Sequence, residues 1–195
     1  MADHEHAHED DESGHFEDEQ ELERQARRLL ALSRIRQYGD SVLRMKAREV
    51  EGFDDDLERL VERMTALMHE ASGVGLAATQ VGVLRRVFVF VDEGEDRVLV
   101  NPVITSTSSD TEIDDEGCLS LHDVLVPVER PRAVTIEGFD EKGEKVRFEL
   151  EPPTSRIVQH ELDHLDGMLI IDRTNDADRR EALATLRPQP VLGAR

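Results

Sequence analysis

Several features that mark secreted and membrane-spanning proteins are scarce in this chain. Its 195 residues include one cysteine, one tyrosine and no tryptophan, and no signal-peptide pattern opens it. One cysteine excludes an intramolecular disulfide, and no apolar run approaches the roughly 18 residues that a membrane helix needs. We therefore expect a cytoplasmic protein that makes no membrane contact.

Positive charge is scarce as well. The chain has 24 Lys and Arg against 44 Asp and Glu, which gives a formal net charge of -20 at pH 7. A strongly acidic protein repels the phosphates of nucleic acids. We therefore do not expect DNA as a partner.

Residues 1–20 are a low-complexity segment. They hold nine acidic residues, four histidines and no Lys or Arg. Such a segment buries too little apolar surface to offset the entropy cost of ordering it, which predicts disorder. Its alternating histidines and acids also leave open a metal-binding tail.

Hydrophobic spacing over the rest of the chain predicts an α+β fold. Predicted helices cover residues 19–35, 54–71, a stretch from Thr154 or Ser155 to a stop at Gly167, and residues 179–186. Predicted strands cover residues 86–91, 97–100, 133–137 and 145–150, and a turn at 140–143 joins the last two.

The segment 160–164, His-Glu-Leu-Asp-His, carries the clearest chemistry. Positions i and i+4 of a helix share one face about a turn apart, so His160 and His164 can bind one metal ion. Glu161 stands beside the first ligand, where it can take a proton from metal-bound water. Short patterns also occur by chance, so two surface histidines on a charged helix are the alternative. The predicted helix and its apolar neighbours favour the metal site.

Cys118 is the candidate third ligand. A thiolate beside two imidazoles makes three protein ligands and leaves the fourth tetrahedral position open for water. A metal ion also stabilises the thiolate, which a free cysteine holds only weakly at neutral pH. A lone cysteine is more often a small buried hydrophobe, but the histidine pair makes the metal-binding interpretation stronger here.

Three segments resemble the signature motifs of peptide deformylases. They are GVGLAATQVG (73–82), EGCLS (116–120) and QHELDHLDG (159–167), in that family's order and at about its spacing. The stretch IRQYGDSVLR (35–44) resembles the family's N-terminal start, and the resemblance covers about residues 35–173. It implies an α+β fold in which mixed and antiparallel sheets pack around a central helix that bears the HExxH motif, with helices at the N-terminal side.

On this basis we divide the chain into three parts. Residues 1–20 are the predicted disordered tail, residues 21–175 a peptide deformylase-like catalytic domain, and residues 176–195 a C-terminal tail with a short helix.

The resemblance also implies roles at the metal. Cys118, His160 and His164 would bind the ion, and metal-bound water would attack the formyl carbon of an N-terminal formyl-methionine. Glu161 would be the general acid and base. The ion would be Fe²⁺, with Zn²⁺, Ni²⁺ or Co²⁺ as alternatives, because a Cys/His/His set does not choose among these metals.

Further roles concern the substrate. The side chain of Gln80 and the backbone N–H of Leu119 would donate hydrogen bonds to the oxyanion. Val74 and Gly75 would contact the peptide, which would add to the chain as a strand. The implied partners are nascent formylated polypeptides, which emerge at the ribosome.

Two positions depart from the family pattern. After the middle motif the family often has a proline and then an arginine, where this chain has His122 and Leu125. The arginine is thought to help hold the substrate backbone, so an inactive deformylase-like metal-binding protein is one alternative. Another is a zinc peptidase of the HExxH kind, which would need a ligand downstream of His164, where Asp166 and Asp172 are poor candidates.

Overall fold

The computed structural model describes residues 10–187, which form four α-helices and seven β-strands. The helices are Asp10–Ser33 (α1), Asp55–Glu70 (α2), Thr154–Leu165 (α3) and Asp176–Thr185 (α4). The strands are Gly75–Ala77 (β1), Val87–Asp92 (β2), Glu95–Thr107 (β3), Thr111–Cys118 (β4), Leu121–Pro131 (β5), Val134–Phe139 (β6) and Lys145–Leu150 (β7). The predicted α+β class is confirmed.

The strands form two antiparallel sheets. Five of them lie in the order β1-β2-β3-β6-β7, and β4 pairs with β5 in a second sheet. The sequence analysis did not predict β4 and β5. In β4 only Glu116 is buried, so the strand lacks the apolar alternation that marks a half-buried strand.

Helix α2 packs its apolar stripe into the core, as its sequence predicts. Its buried side chains are Leu57, Leu60, Met64, Leu67 and Met68. The helix begins after Asp54, whose carboxylate accepts a hydrogen bond from the Leu57 N–H at 3.0 Å. Full burial of each such apolar side chain contributes about 1.5–3 kcal/mol, so this face holds α2 against β1 and β2.

Helix α3 contacts both sheets, through β1 and β2 on one side and β5 on the other. Val158 and Leu165 are buried in the core together with strands of the larger sheet. The helix ends at the predicted glycine, because Gly167 has a φ of +75° and a Cβ there would lie 2.7 Å from the Arg44 carbonyl oxygen. Helix α3 therefore contacts strands of both sheets along its length.

A helix lies at each end of the described chain, and α4 is the short helix predicted for residues 176–195. Helix α1 begins at Asp10, so residues 10–20 of the predicted tail lie in this helix, whereas residues 1–9 lie outside the described residues. Most of α1 from residue 20 onward is exposed, and its core contacts begin at Ala31 and Leu32. Helix α4 packs on β5 through the buried Ala182. Residues 176–187 are therefore packed on the domain.

Within residues 10–187, none of the helices combines the length and apolar character that crossing a membrane requires.

Candidate metal centre and active site

The fold brings the three predicted metal ligands together. Cys118 ends β4, and His160 and His164 lie one turn apart on α3. One ligand atom from each of the three lies within 4.8 Å of the others. The Cys118 Sγ atom is 3.2 Å from Nε2 of His164. Cys118 and His164, 46 positions apart in the chain, thus converge because α3 packs against β5, the strand that follows Cys118.

The chemistry of this set fits a divalent transition metal. His164 is buried, and its Nδ1 atom has no hydrogen-bond partner among the described residues. Burial holds the pKa of His164 well below its usual range, so the imidazole is neutral, which is the form that binds metal. Two imidazoles and a thiolate are ligands that suit Fe²⁺, Zn²⁺, Ni²⁺ and Co²⁺.

Glu161 is buried beside the ligands. It is 4% exposed, and its Oε2 atom has no hydrogen-bond partner in the described part of the chain. Burial raises the pKa of Glu161 to about 7, with a further increase from Glu116 and an opposing effect of His160. A carboxyl group with that pKa can both accept and donate a proton near neutrality.

Gly75 makes room for this carboxyl group. A Cβ at Gly75 would lie 2.4 Å from Oε1 of Glu161 and 2.9 Å from its carboxyl carbon. Gly73 has a related role, since its Cβ would lie 2.8 Å from the Leu119 side chain. The first motif thus needs glycine at both positions, because the backbone lies close to Leu119 at Gly73 and close to Glu161 at Gly75.

Gln80 bridges the first two motifs. Its amide oxygen accepts a hydrogen bond from the Ala77 N–H at 2.9 Å. Its amide nitrogen donates to Ser120 Oγ at 3.0 Å and lies 3.7 Å from Cys118 Sγ. The amide donor therefore faces Cys118. Leu119 follows Cys118 in the turn between β4 and β5.

A cleft of about 980 Å³ opens over these groups. Its lining includes residues of all three motifs, namely Gly73, Val74, Gly75, Gln80, Glu116, Cys118, Leu119, His160 and Glu161. Val74 is 56% exposed at its edge. His122 and Leu125, the two departures from the family pattern, also line it and are exposed. The cleft is large enough for several peptide residues.

Comparison with known proteins identifies the family. The polypeptide deformylase family model matches residues 32–180, which is most of the chain. The chain belongs to the polypeptide deformylase family. It is 49% identical over 146 residues to the peptide deformylase of Clostridium botulinum, covering 74% of this chain and 98% of that protein. It is 42% identical over 162 residues to peptide deformylase 1 of Corynebacterium glutamicum, covering 81% of this chain and 96% of that one.

Solved structures of this family share the fold. The peptide deformylase from Thermotoga maritima superposes with a TM-score of 0.71 at 43% identity, covering 73% of this chain and 97% of that chain. The one from Legionella pneumophila gives a TM-score of 0.74 at 36% identity, covering 78% and 91%. The two sheets and the helices within residues 32–180 are therefore the deformylase fold.

The sequence analysis missed a buried network of charges behind this deformylase's candidate metal site. Arg130 donates to both carboxylate oxygens of Glu116, at 2.6 and 2.9 Å, and each side chain is 5% exposed. Arg130 also donates to Asp163 at 2.9 Å, and Asp163 accepts a second pair of bonds from Arg173. Burial tends to raise the pKa of Glu116, but its bonds to Arg130 and His160 outweigh burial and hold that pKa well below its usual range.

A signal for part of this network was present in the sequence. Along β5 the side chains of Val124, Val126 and Val128 alternate inward, and Arg130 is next in the same phase. An arginine on a buried strand face requires a carboxylate partner. The partner itself could not be read from the sequence, because Glu116 and Asp163 are 14 and 33 residues away.

The downstream aspartates are engaged elsewhere, which removes support for the alternative zinc peptidase. Asp166 pairs with Arg86 at 2.8 Å. Asp172 pairs with Arg44 and lies 3.4 Å from Arg179. Among the described residues, the cluster with metal-binding geometry is the one that contains Cys118.

Proposed function

We propose that this deformylase removes the formyl group from the N-terminal formyl-methionine of newly synthesised polypeptides. The observation that carries the proposal is the convergence of Cys118, His160 and His164 beside the buried carboxyl group of Glu161, at the floor of a peptide-sized cleft. Family membership supports the same reaction. The proposed partners are nascent formylated polypeptides, and we propose the cytoplasm, at or near the ribosome, as the place of action.

Cys118, His160 and His164 would hold one divalent metal ion, for which we propose Fe²⁺. When bound, the ion supplies a Lewis acid that polarises the formyl carbonyl and acidifies water. A set of three protein ligands would leave such an ion able to bind water as well. Glu116 supports this arrangement, because its carboxylate contacts His160.

Glu161 would move the proton. Its carboxylate accepts a proton from the attacking water and then gives it to the amine that leaves as the new N-terminus. Burial supports both steps, since a pKa of about 7 balances proton uptake and release. Gly75 leaves space for this carboxyl group, because a Cβ at that position would lie 2.4 Å from Oε1 of Glu161.

Gln80 and Leu119 would stabilise the negative charge that develops on the formyl oxygen. The Gln80 amide nitrogen is held near Cys118 by its bond to Ser120. The backbone N–H of Leu119 follows the ligand cysteine directly. Two donors from rigid elements need little reorganisation during the reaction, which is why such donors are effective.

The substrate peptide would lie along β1. This strand is at the edge of the five-stranded sheet and pairs with β2 on one side, so its other side is available for strand addition. Gly75 lets a peptide backbone approach, and the exposed Val74 would border the methionine side chain.

Deformylation of a formyl-methionyl peptide tests the proposal. The protein is purified without oxygen, loaded with ferrous iron and compared with Glu161→Ala. Turnover that is lost in Glu161→Ala, with the metal content unchanged, supports the proposed reaction and the role of Glu161. One bound metal per chain without any turnover would contradict the proposal and would favour an inactive deformylase-like protein, with the residues at 122–125 as the first suspects.

A further inference from the structure

Helix α1 reaches the active-site cleft from outside the family match. The match begins at residue 32, and α1 begins at Asp10, so most of this helix is an addition to the family domain. Arg28 of α1 nevertheless lines the same cleft as Glu161. Its Nε atom donates to the Ala71 carbonyl oxygen at 3.3 Å, which ties the side chain to the start of the segment that leads into β1.

Arg28 differs from the other arginines nearby. Its neighbours on α1 are paired, Arg24 with Glu21 and Arg27 with Glu23. Arg156, the other arginine of the cleft lining, donates to Glu116 and to two backbone carbonyl oxygens. Arg28 forms no ion pair with a carboxylate of residues 20–187. With respect to residues 20–187, its guanidinium charge is therefore available to a molecule in the cleft.

A short stretch of chain links Arg28 to the reaction centre. Gly75 contacts Glu161, and residues 74, 73 and 72 lead from there to Ala71, which holds Arg28. Strand β1 begins at Gly75, and the residues before it form a turn at the end of α2 in which Ser72 has a φ of +58°. A peptide that pairs antiparallel with β1, with its methionine beside Gly75, leaves the strand there and advances about 3.3 Å per residue. Its second and third residues therefore pass the turn that holds Arg28.

The other charges of the cleft make such a cation significant. Asp115 and Asp123 are acidic, exposed and part of the lining. On a chain of net charge -20 they oppose the approach of an acidic peptide. A guanidinium group matches a carboxylate with two parallel hydrogen bonds, which gives it selectivity for acidic side chains.

We infer that Arg28 is a specificity-determining residue that favours formylated peptides with Asp or Glu at the second or third position. The inference rests on the proposed deformylase function. Because the ion pair between Arg28 and the acidic residue of the peptide forms at a solvent-exposed site, kcat/KM for the acidic peptide is about two- to fivefold higher than for its neutral counterpart. This preference decreases with added salt. The contact is made equally in the ground state and the transition state, so it changes KM rather than kcat.

Matched peptides test the inference. Formyl-Met-Ala-Asp-amide is compared with formyl-Met-Ala-Asn-amide, and formyl-Met-Asp-Ala-amide with formyl-Met-Asn-Ala-amide, so that each pair differs in one charge. The wild-type protein should show a higher kcat/KM for the Asp peptide in at least one pair. Arg28→Gln should remove that difference through KM, Arg28→Glu should reverse it, and Arg28→Lys should keep part of it.

Arg27→Gln is the matched control, because Arg27 lies on the same helix, is also exposed to solvent and does not line the cleft. It should leave the Asp preference unchanged. An Asp preference that survives in Arg28→Gln, or its absence from the wild-type protein, overturns the inference while the deformylase function stands. If no formylated peptide is turned over, the proposed function itself fails. Calorimetric binding of Met-Ala-Asp-amide and Met-Ala-Asn-amide to the wild-type protein and to Arg28→Gln then still decides the role of Arg28.

Discussion

Glu116 Oε2 lies 3.0 Å from Nδ1 of His160. An ionised carboxylate only accepts hydrogen bonds, so Nδ1 carries the proton and Nε2 of His160 is left to bind metal. Arg130 donates two hydrogen bonds to the same carboxylate group. The orientation of His160, a predicted metal ligand, therefore depends on the buried pair of Glu116 and Arg130, and Arg130 lies outside the three sequence motifs.

Glu116→Gln is expected to weaken both metal binding and folding. The amide keeps the shape but loses the charge that Arg130 needs, and disruption of a buried pair costs about 3–5 kcal/mol in the free energy of unfolding. Loss of such an outer-shell contact typically lowers metal affinity about 10- to 100-fold. Metal titration and denaturant unfolding measure the two effects. Glu112→Gln on the same strand, where the side chain is exposed, should change neither.

Glu161→Gln is expected to abolish proton transfer and keep the metal site. The side chain retains its volume, and Cys118, His160 and His164 are untouched, so one metal per chain should still bind. A lost general base typically costs about 100- to 10,000-fold in rate. Steady-state kinetics and metal analysis on the same sample provide the check. A variant that retains more than a tenth of the wild-type kcat would remove Glu161 from the mechanism.

Gly75→Ala is expected to lower kcat, because the added methyl group would meet the carboxyl group of Glu161 at 2.4 Å. The carboxylate must move away from the cleft floor, and small displacements of a catalytic group can cost about 100-fold. Gly52→Ala is the matched control, since a Cβ there meets nothing within 4 Å. Equal kcat values for the two variants would mean that the position of Glu161 is not critical.

Gln80→Ala is expected to lower kcat by about 100- to 1,000-fold, the usual effect of losing an oxyanion donor. Because the Gln80 oxygen also accepts from the Ala77 N–H, thermal unfolding should be followed in parallel. Ser120→Ala separates the two effects, since it removes the hydroxyl that Gln80 contacts and leaves the amide in place. If both variants lose activity to the same degree, the amide acts through Ser120 and not on the substrate.

Removal of residues 1–9 is expected to leave one metal ion per chain and full activity. The tail histidines in this segment are the alternative metal site suggested by composition, whereas Cys118, His160 and His164 are close enough together to hold an ion without the tail. Metal analysis before and after truncation, with Cys118→Ala as the comparison, distinguishes the two. Metal that is lost with the tail and retained in Cys118→Ala would move the binding site to the tail.

Local patterns determined a large part of this protein. The i and i+4 spacing predicted that His160 and His164 share a helix face, and α3 places them so. The stripe over residues 54–71 predicted α2, and apolar runs predicted β2, part of β3, β6 and β7. These features follow from periods of 3.6 and 2 residues, which a sequence displays directly.

Only the tertiary structure decided which distant residues meet. β4 was missed because its side chains are mostly exposed, and with it the position of Cys118 relative to α3. The pairing of Glu116 with Arg130, the contact of Gly75 with Glu161 and the approach of Arg28 to the cleft each join separate elements. Such contacts depend on how the sheets and helices pack, and a periodic pattern carries no information about which partner lies across the packed surface.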